Sequence, residues 1–580
     1  MNPLIQRREP DRSLELPGGL HPLVRRVLLR RPLQSVDELD LSLKNLLSPD
    51  GLLGAGDAVD LLVRHLQKQS RILVVSDFDA DGATSCALTL RALHSLGFEN
   101  LDYIVPNRFE YGYGLTPEIV ELAATRDPDL IITVDNGISS LDGVESARQA
   151  GIEVLITDHH LPGAALPRAE AIVNPNQPGC RFASKSLAGV GVIFYLMLAL
   201  RARLRTEGWF TGKGLKEPNL GELLDLVALG TVADVVPLDF NNRILVNEGL
   251  RRIRAGRACP GIQALLQVSR RTGRNLVAGD LGFAIGPRLN AAGRLDDMSL
   301  GIECLLTESM DAAYRMAVQL DGLNSDRRLI EAEMRDQAFN NLADLELGDE
   351  QLPAGLCVYR EDWHQGVIGI LASRIKDKYH RPVIAFADAG TADSESEAQL
   401  KGSARSIAGF HIRDALDAIA SRNPGLISKF GGHAMAAGLS LDRDKLEAFS
   451  QAFDSYAAQA LDEDALQARI LTDGELEAGE FDLSAAEALA AAGPWGQGFP
   501  EPVFDGEFAV QDLRVLADKH LKLSVLPADG HAAVEAIAFN ADLSLDLKPG
   551  DNVALVYRLG VNEFRDSRRV QLVVEQLRLA

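Results

Sequence analysis

Residues 72–82 read Ile72-Leu73-Val74-Val75-Ser76-Asp77-Phe78-Asp79-Ala80-Asp81-Gly82, a short apolar run that ends on three alternating carboxylates and a glycine. The same form recurs twice. Leu130 to Val134 leads into Asp135-Asn136-Gly137, and Val154 to Ile156 leads into Thr157-Asp158-His159-His160. Runs this short and β-branched, separated by helical stretches, read as parallel strands buried on both faces. In such sheets the carboxyl ends of neighbouring strands line one crevice, where ligands bind. Three acidic clusters and a histidine pair are therefore expected to meet in space. Carboxylates crowded that closely repel one another unless cations hold them. The pattern predicts a metal-dependent phosphoesterase.

Working outward, strands are expected near 72–76, 101–105, 130–134, 153–157 and 171–173, with helices near 83–96, 117–125 and 139–150. That βαβ succession implies a parallel, doubly wound α/β sheet. Residues 1–50, rich in proline and arginine, are predicted to be a small helical lead-in, and 51–305 the first domain. Residues 306–345 hold alanine, leucine, arginine and glutamate without proline and predict one long connecting helix. A second, smaller α/β domain is expected over 346–460, with strands at 356–359 and 383–387 and a mobile acidic loop from Ala389 to Gln399. Residues 465–580 change to short alternating strands, such as Leu521-Lys522-Leu523-Ser524-Val525 and Asn552-Val553-Ala554-Leu555-Val556-Tyr557. Five such strands suit a small barrel of the OB type.

The composition fits a large enzyme: 580 residues, 46% of them hydrophobic, leave ample core. Arg7, Arg8 and Glu9 stand where a secretory signal would be apolar. The run from Leu187 to Leu200 lies between Lys185 and Arg201, is too short to span a bilayer, and reads as a buried helix. The five cysteines form no CxxC pair and look like reduced core residues of a cytoplasmic protein. Lys plus Arg number 59 against 82 Asp plus Glu, a formal charge of −23. That balance argues against a broad nucleic-acid-coating surface and for a confined substrate channel. Arginines nevertheless cluster at Arg251-Arg252-Ile253-Arg254, Arg270-Arg271 and Arg568-Arg569.

Asp79 and Asp81 sit two apart past a strand end, so an extended backbone points both carboxylates the same way. A calcium loop is excluded as the reading, because Leu90 stands where its closing glutamate belongs. Asp135 is placed to bridge two cations, and the His159 nitrogen favours Mn²⁺ or a similar ion over Ca²⁺. Asp234, after the apolar run Leu226 to Ala233, is positioned to close the site. Each acid taken singly also suits a helix N-cap or turn. Four such segments together point to metal.

Asp158-His159-His160, with Asp77-x-Asp79-x-Asp81-Gly82, Asp135-Asn136-Gly137 and Ala233-Asp234, resembles the DHH phosphoesterase superfamily. Trp363-His364-Gln365-Gly366, Gly402-Ser403-Ala404-Arg405-Ser406 and Gly431-Gly432-His433 resemble its accessory DHHA1 domain. Together with Pro106-Asn107-Arg108, Gly112-Tyr113-Gly114, the 286–294 segment and the terminal barrel, the chain is similar to that superfamily's bacterial single-strand-specific 5′→3′ DNA exonucleases. One departure stands out: Val75 occupies the place, four residues before Asp79, where many members carry a ligating histidine.

The resemblance implies two divalent ions, Mn²⁺ or Mg²⁺, held by Asp79, Asp81, Asp135, His159 and Asp234, with Asp77 or water compensating at Val75. It makes His160 and Asp77 the catalytic side chains, His160 contacting a phosphate oxygen. Substrate contacts fall to Arg108, Arg288 and Asn290, to Tyr113 as a stacking ring, to Ser403 and Arg405 as phosphate donors, and to His364 and His433. The implied partner is single-stranded DNA with a 5′ end, with a single-strand-binding protein and a repair helicase beside it. A monomer away from membranes is expected. The competing readings are a phosphoesterase for short oligoribonucleotides or cyclic dinucleotides, and a non-catalytic single-strand-binding replication scaffold.

Overall fold

The computed structural model describes residues 3–107, 114–346, 352–389, 399–528, 530, 532–541, 543, 545, 547–564 and 567–580. They fall into two compact units, one of residues 7–323 with 472–580, the other of residues 1–6 with 324–471.

In the first unit, strands β1 (Ile72–Ser76), β2 (Leu101–Ile104), β3 (Leu130–Val134), β4 (Glu153–Thr157) and β5 (Ala171–Val173) form a parallel sheet ordered β2-β1-β3-β4-β5. Val75 lies opposite Ile104 and Thr133, and Val134 opposite Thr157, so the carboxyl ends are level. Alternate side chains feed two separate cores: Ile72, Val74, Leu130 and Ile132 face one, and Leu73, Val75, Ile131 and Val154 the other. Burial of both faces explains the uninterrupted apolar runs. The strand order reverses between β1 and β3, the place where open α/β sheets bind ligands.

Helix α1 (Ala80–Leu96) begins directly after β1, and α2 (Gly189–Thr206) is the helix expected from the 187–200 run. α3 (Leu224–Ala233) packs with both. α4 (Gly286–Leu295) follows a π-helical turn at Leu281–Ile285.

The same unit holds a closed barrel of β11 (Phe504–Leu516), β12 (His520–Pro527), β13 (Val534–Ala538), β14 (Asn552–Phe564) and β15 (Ser567–Leu579), ordered 11-12-13-15-14. All neighbours are antiparallel except β13 and β15. Strict in–out alternation along His520–Pro527 fills the barrel with side chains. An ion pair between the wholly buried Arg31 and Asp473 side chains, 2.7 Å apart, ties the amino-terminal segment to the start of this region.

In the other unit, β6 (Leu356–Tyr359), β7 (Val383–Asp388), β8 (Gln399–Arg405), β9 (Lys429–Gly432) and β10 (Ala436–Asp442) form a sheet ordered β9-β10-β8-β7-β6, with only β6 and β7 parallel. The glycine-rich stretch that carries Ser403 and Arg405 is strand: Gly402 to Arg405 lies in β8, and Gly438 pairs with Ser403. Small residues there allow bulky neighbours, since a Cβ on Gly402 would come within 2.6 Å of both Leu439 and Phe386.

The long helix is present as α5 (Met310–Glu346), and the unit boundary at Asn324 falls within it. The lead-in holds one α-helix, Pro22–Leu28, and 3-10 turns at Val36–Leu39, Leu43–Asn45 and Pro49–Gly51; before them Leu4–Arg7 is a strand in a two-stranded sheet with Arg469–Thr472, where Leu4 N–H donates to Ala468 O at 2.8 Å. A four-residue strand with a distant partner leaves no local periodicity to read. Most of the acidic stretch from Ala389 to Gln399 lies outside the described residues. Among the described residues, no helix is long and apolar enough to cross a membrane.

Candidate metal centre

Three strand ends and one helix end deliver the site. Asp77 leaves β1, its N–H donating to Val134 O across the switch point at 3.3 Å. Asp79 caps α1, accepting from the N–H groups of Asp81 and Gly82 at 2.9 and 3.0 Å. The N-cap reading is therefore true of Asp79, and it leaves the second carboxylate oxygen outside that cap. A Cβ at Gly82 would lie 2.4 Å from Asp77 O, so only glycine permits this turn.

Asp81, 1% exposed, turns inward and accepts from Gly189 N–H at 2.6 Å and Val190 N–H at 3.0 Å, the first turn of α2. Asp135 follows β3 with φ 62°, a left-handed conformation that a non-glycine residue adopts at a cost. Gly189 makes room for it: a Cβ there would stand 2.7 Å from Asp135 Oδ1.

His159 Nε2 is the hub. It lies 3.1 Å from Asp135 Oδ1, 3.4 Å from Asp234 Oδ2 at the end of α3, and 4.0 Å from Asp81 Oδ2. Three sets of potential ligand atoms converge within 4.8 Å: Asp77, Asp79 and Asp135; Asp81, His159 and Asp234; Asp135, His159 and His160. Asp135 and His159 each belong to two sets. Every expected metal ligand is in this one cluster.

The electrostatics match a cation site. Desolvation, then the charges of Asp81, Asp79 and Asp234, pushes the Asp135 carboxyl well above its ordinary range. Asp234 is raised in the same way, by burial and then by Asp81 and Asp79. Burial followed by the Asp79 charge lifts Asp81 to about 7, against the two backbone N–H groups that hold it down. Buried acids that crowd one another while an imidazole nitrogen points among them suit divalent metal, with oxygen and nitrogen donors both available.

Asp158, which the sequence reading left without a role, organises the histidine pair. Its Oδ1 accepts from the His159 and His160 N–H groups at 2.7 and 3.1 Å and lies 2.7 Å from His160 Nδ1; Oδ2 accepts from Ile138 N–H at 2.9 Å. Burial opposes its charge, but the His160 contact and those donors hold its pKa at about 2. Burial by itself would lower His160; the hydrogen bond and charge of Asp158, then Asp234 and Asp77, raise it to about 9. Asn174 and Asn176 clamp the same backbone, donating to His160 O and His159 O at 2.9 and 2.6 Å. An amide just past a strand looks like a turn residue in sequence, which is why neither was singled out.

The proposed substrate residues divide. Arg108 and Tyr113 lie outside the described residues. Arg288 engages Asp321 through Nε and Nη2 at 2.8 and 2.7 Å, the carboxylate pairing rather than an open fork. Asn290 Oδ1 accepts from Ala80 N–H at 2.7 Å and so braces the Asp79–Asp81 turn. In the other unit, Ser403 Oγ accepts from Arg405 Nη1 at 3.2 Å, and a Cβ on Gly369, in the first turn of helix Ile368–Tyr379, would touch both. His433 is exposed at the β9–β10 turn, its N–H donating to Ala436 O, and Ala436 pairs with Arg405. His364 Nδ1 accepts from Gly366 N–H at 3.1 Å ahead of that helix.

Fold and site together define a DHH-type protein, and comparison agrees: residues 71–231 match the DHH family N-terminal domain, 353–459 the DHHA1 domain and 472–576 the RecJ OB domain. The chain belongs to the RecJ family of DHH proteins. It is 55% identical over 581 residues to the single-stranded-DNA-specific exonuclease RecJ of Dickeya dadantii, covering 100% of both chains. The crystal structure of RecJ from Thermus thermophilus in complex with Mn²⁺ is similar with a TM-score of 0.77 and 31% identity, covering 97% of this chain and 76% of that one. The Mg²⁺ complex from the same source gives 0.72 and 29%, covering 97% and 75%.

Proposed function

We propose that this chain is a metal-dependent exonuclease that hydrolyses single-stranded DNA from the 5′ end and releases 5′-mononucleotides. The observation that carries the reading is the convergence of Asp81, Asp135 and Asp234 on His159 Nε2 at the carboxyl edge of the parallel sheet. The names of its full-length relatives support the same substrate.

Asp77, Asp79 and Asp135 would hold one divalent ion, and Asp81, His159 and Asp234 a second, with Asp135 Oδ1 3.1 Å from His159 Nε2 and so beside both sets; Mn²⁺ and Mg²⁺ each suit these donors. Bound ions would offset the carboxylate repulsion, acidify water and polarise a phosphodiester. The protein's own contribution is placement. Asp158 fixes His160 through Nδ1, which leaves Nε2 to donate to a phosphate oxygen as negative charge grows there. Asp77, whose Oδ1 accepts from Phe78 N–H at 2.8 Å, takes the place opened by Val75 and completes the acidic wall. Arg405 and Ser403, with the first turn of helix Ile368–Tyr379, offer donors suited to a phosphate.

The barrel disfavours the reading as a hydrolase of short oligoribonucleotides or cyclic dinucleotides, which would leave such a module idle. The presence of Asp79, Asp81, Asp135, His159 and Asp234 in one cluster disfavours a non-catalytic scaffold. A single-strand-binding protein, a repair helicase, action as a monomer and a cytoplasmic setting belong to the same proposal.

Digestion of one single strand, labelled at either end, with Mn²⁺ and with chelator tests it. Early release of labelled mononucleotide from the 5′ end, abolished by chelator, is expected. Release from the 3′ end first, or cutting in chelator, would overturn the reading.

A further inference from the structure

Between Gly249 and Gly279 the sequence has arginine at 251, 252, 254, 257, 270, 271 and 274 and no aspartate, glutamate or lysine, in a chain whose net charge is −23. The fold brings the two ends of this stretch together. The turn at Gly273–Asn275 lies against the end of helix Phe240–Arg254: Arg254 Nε donates to Leu276 O at 2.8 Å, and a Cβ on Gly273 would sit 3.5 Å from Ile253 O. Arg251, Arg257, Arg270 and Arg271 are exposed. Arg251 pairs with Glu248 and Arg271 with Asp280, while Arg257 and Arg270 make no ion pair with any described residue.

The two edges of this surface decide what it serves. At one edge Arg271 holds Asp280, three residues before Phe283, a phenylalanine 88% exposed on the π-helical turn. That turn packs on the metal centre's own helix: a Cβ on Gly282 would lie 3.2 Å from Val232 Cγ1, and one on Gly286 3.1 Å from Ala233 Cβ, next to Asp234. At the other edge Asn275 Nδ2 donates to Glu563, near the end of barrel strand β14. The segment from Arg271 to Asn275 therefore reaches from the turn beside the metal centre's helix to the barrel.

We propose that this surface is a track for the single strand between the cleavage site and the barrel, with Phe283 stacking on a base close to the metals and Arg257 and Arg270 facing successive phosphates. Cationic side chains along the backbone and an aromatic face for the bases are the two elements of sequence-tolerant single-strand binding. The Phe283 ring stands 88% exposed, open to a stacking base, and neither Arg257 nor Arg270 has a carboxylate partner among the described residues to compete with a polyanion. The inference rests on the exonuclease reading.

The test compares the full-length protein with Phe283→Ala and with the double variant Arg257→Ala/Arg270→Ala, measuring affinity for a long 5′ single strand in chelator over a range of salt. Loss of two phosphate contacts should flatten the plot of log affinity against log salt by about 1.4, at about 0.7 per contact. Phe283→Ala should weaken binding on the order of tenfold with the slope unchanged, as expected for a lost stack. A wild-type protein that neither binds nor cuts single strands would defeat the exonuclease reading itself. A wild-type protein that binds, with both variants indistinguishable from it, would overturn the track alone. Unchanged DNA affinity together with lost binding of a poly-glutamate peptide would reassign the surface to an acidic protein partner.

Discussion

Asp158 Oδ1 lies 2.7 Å from His160 Nδ1, so the buried carboxylate fixes which imidazole nitrogen faces the acidic cluster. In Asp158→Asn the amide retains one acceptor oxygen and loses the charge. Turnover should fall by roughly 10–100-fold with substrate KM little changed, the scale seen when a partner that orients a ligating or reacting histidine is lost. His160→Ala should cost more, about 10²–10³-fold in kcat, as for one transition-state donor. Single-turnover rates separate the two, and equal rates for wild type and His160→Ala would remove His160 from the chemistry.

Asp135 belongs to two ligand sets at once. Asp135→Ala should abolish cleavage while circular dichroism stays native, because Asp135 shares one ligand set with Asp77 and Asp79 and lies 3.1 Å from His159 Nε2 of the other. Calorimetric titration with Mn²⁺ should show lost or much weakened binding. Metal-dependent activity within about tenfold of wild type would refute the shared-ligand arrangement.

The metal-free protein carries a pH signature. Asp81 has a folded-state pKa of about 7 against an ordinary 3.8, so the folded state binds the extra proton. A raised acid makes stability fall as pH rises from the unfolded value to the folded one, here between about 4 and about 7. Asp135 and Asp234, raised for the same reason, push in the same direction. Thermal unfolding in chelator should show melting temperature dropping across that window, and saturating Mn²⁺ should flatten the slope, since bound cation replaces the proton as the counter-charge. The same slope with and without Mn²⁺ would contradict the assignment.

Gly369 leaves room for Ser403 Oγ and Arg405 Nη2, which would stand 2.8 and 2.9 Å from a Cβ there. Gly369→Ala should displace both donors and raise KM roughly tenfold with the folded state intact, and Arg405→Lys should do the same by losing the planar fork. A comparison of 5′-phosphorylated and 5′-hydroxyl strands reads the effect: both variants should narrow the difference between them. An undiminished preference would place phosphate capture elsewhere.

Much of this was legible in order along the chain. A parallel strand buried on both faces writes itself as a β-branched run, and the acids at 77, 79, 81, 135 and 234 stand where those runs and the helix Leu224–Ala233 end, so the sheet and the metal cluster followed from local pattern. The long helix and the alternating barrel strands declared themselves by period for the same reason. What depended on distant partners did not. Leu4–Arg7 is a strand only because residues 469–472 lie beside it, and the Asp321 partner of Arg288 stands outside the motif that Arg288 belongs to. Asp158 became the organiser of the histidines only when two backbone N–H groups and Ile138 were brought to its oxygens. Residue order determines which groups carry charge and which segments are apolar. Only the packed chain decides which of those groups face one another, because hydrogen bonds and ion pairs depend on distances that residue order does not contain.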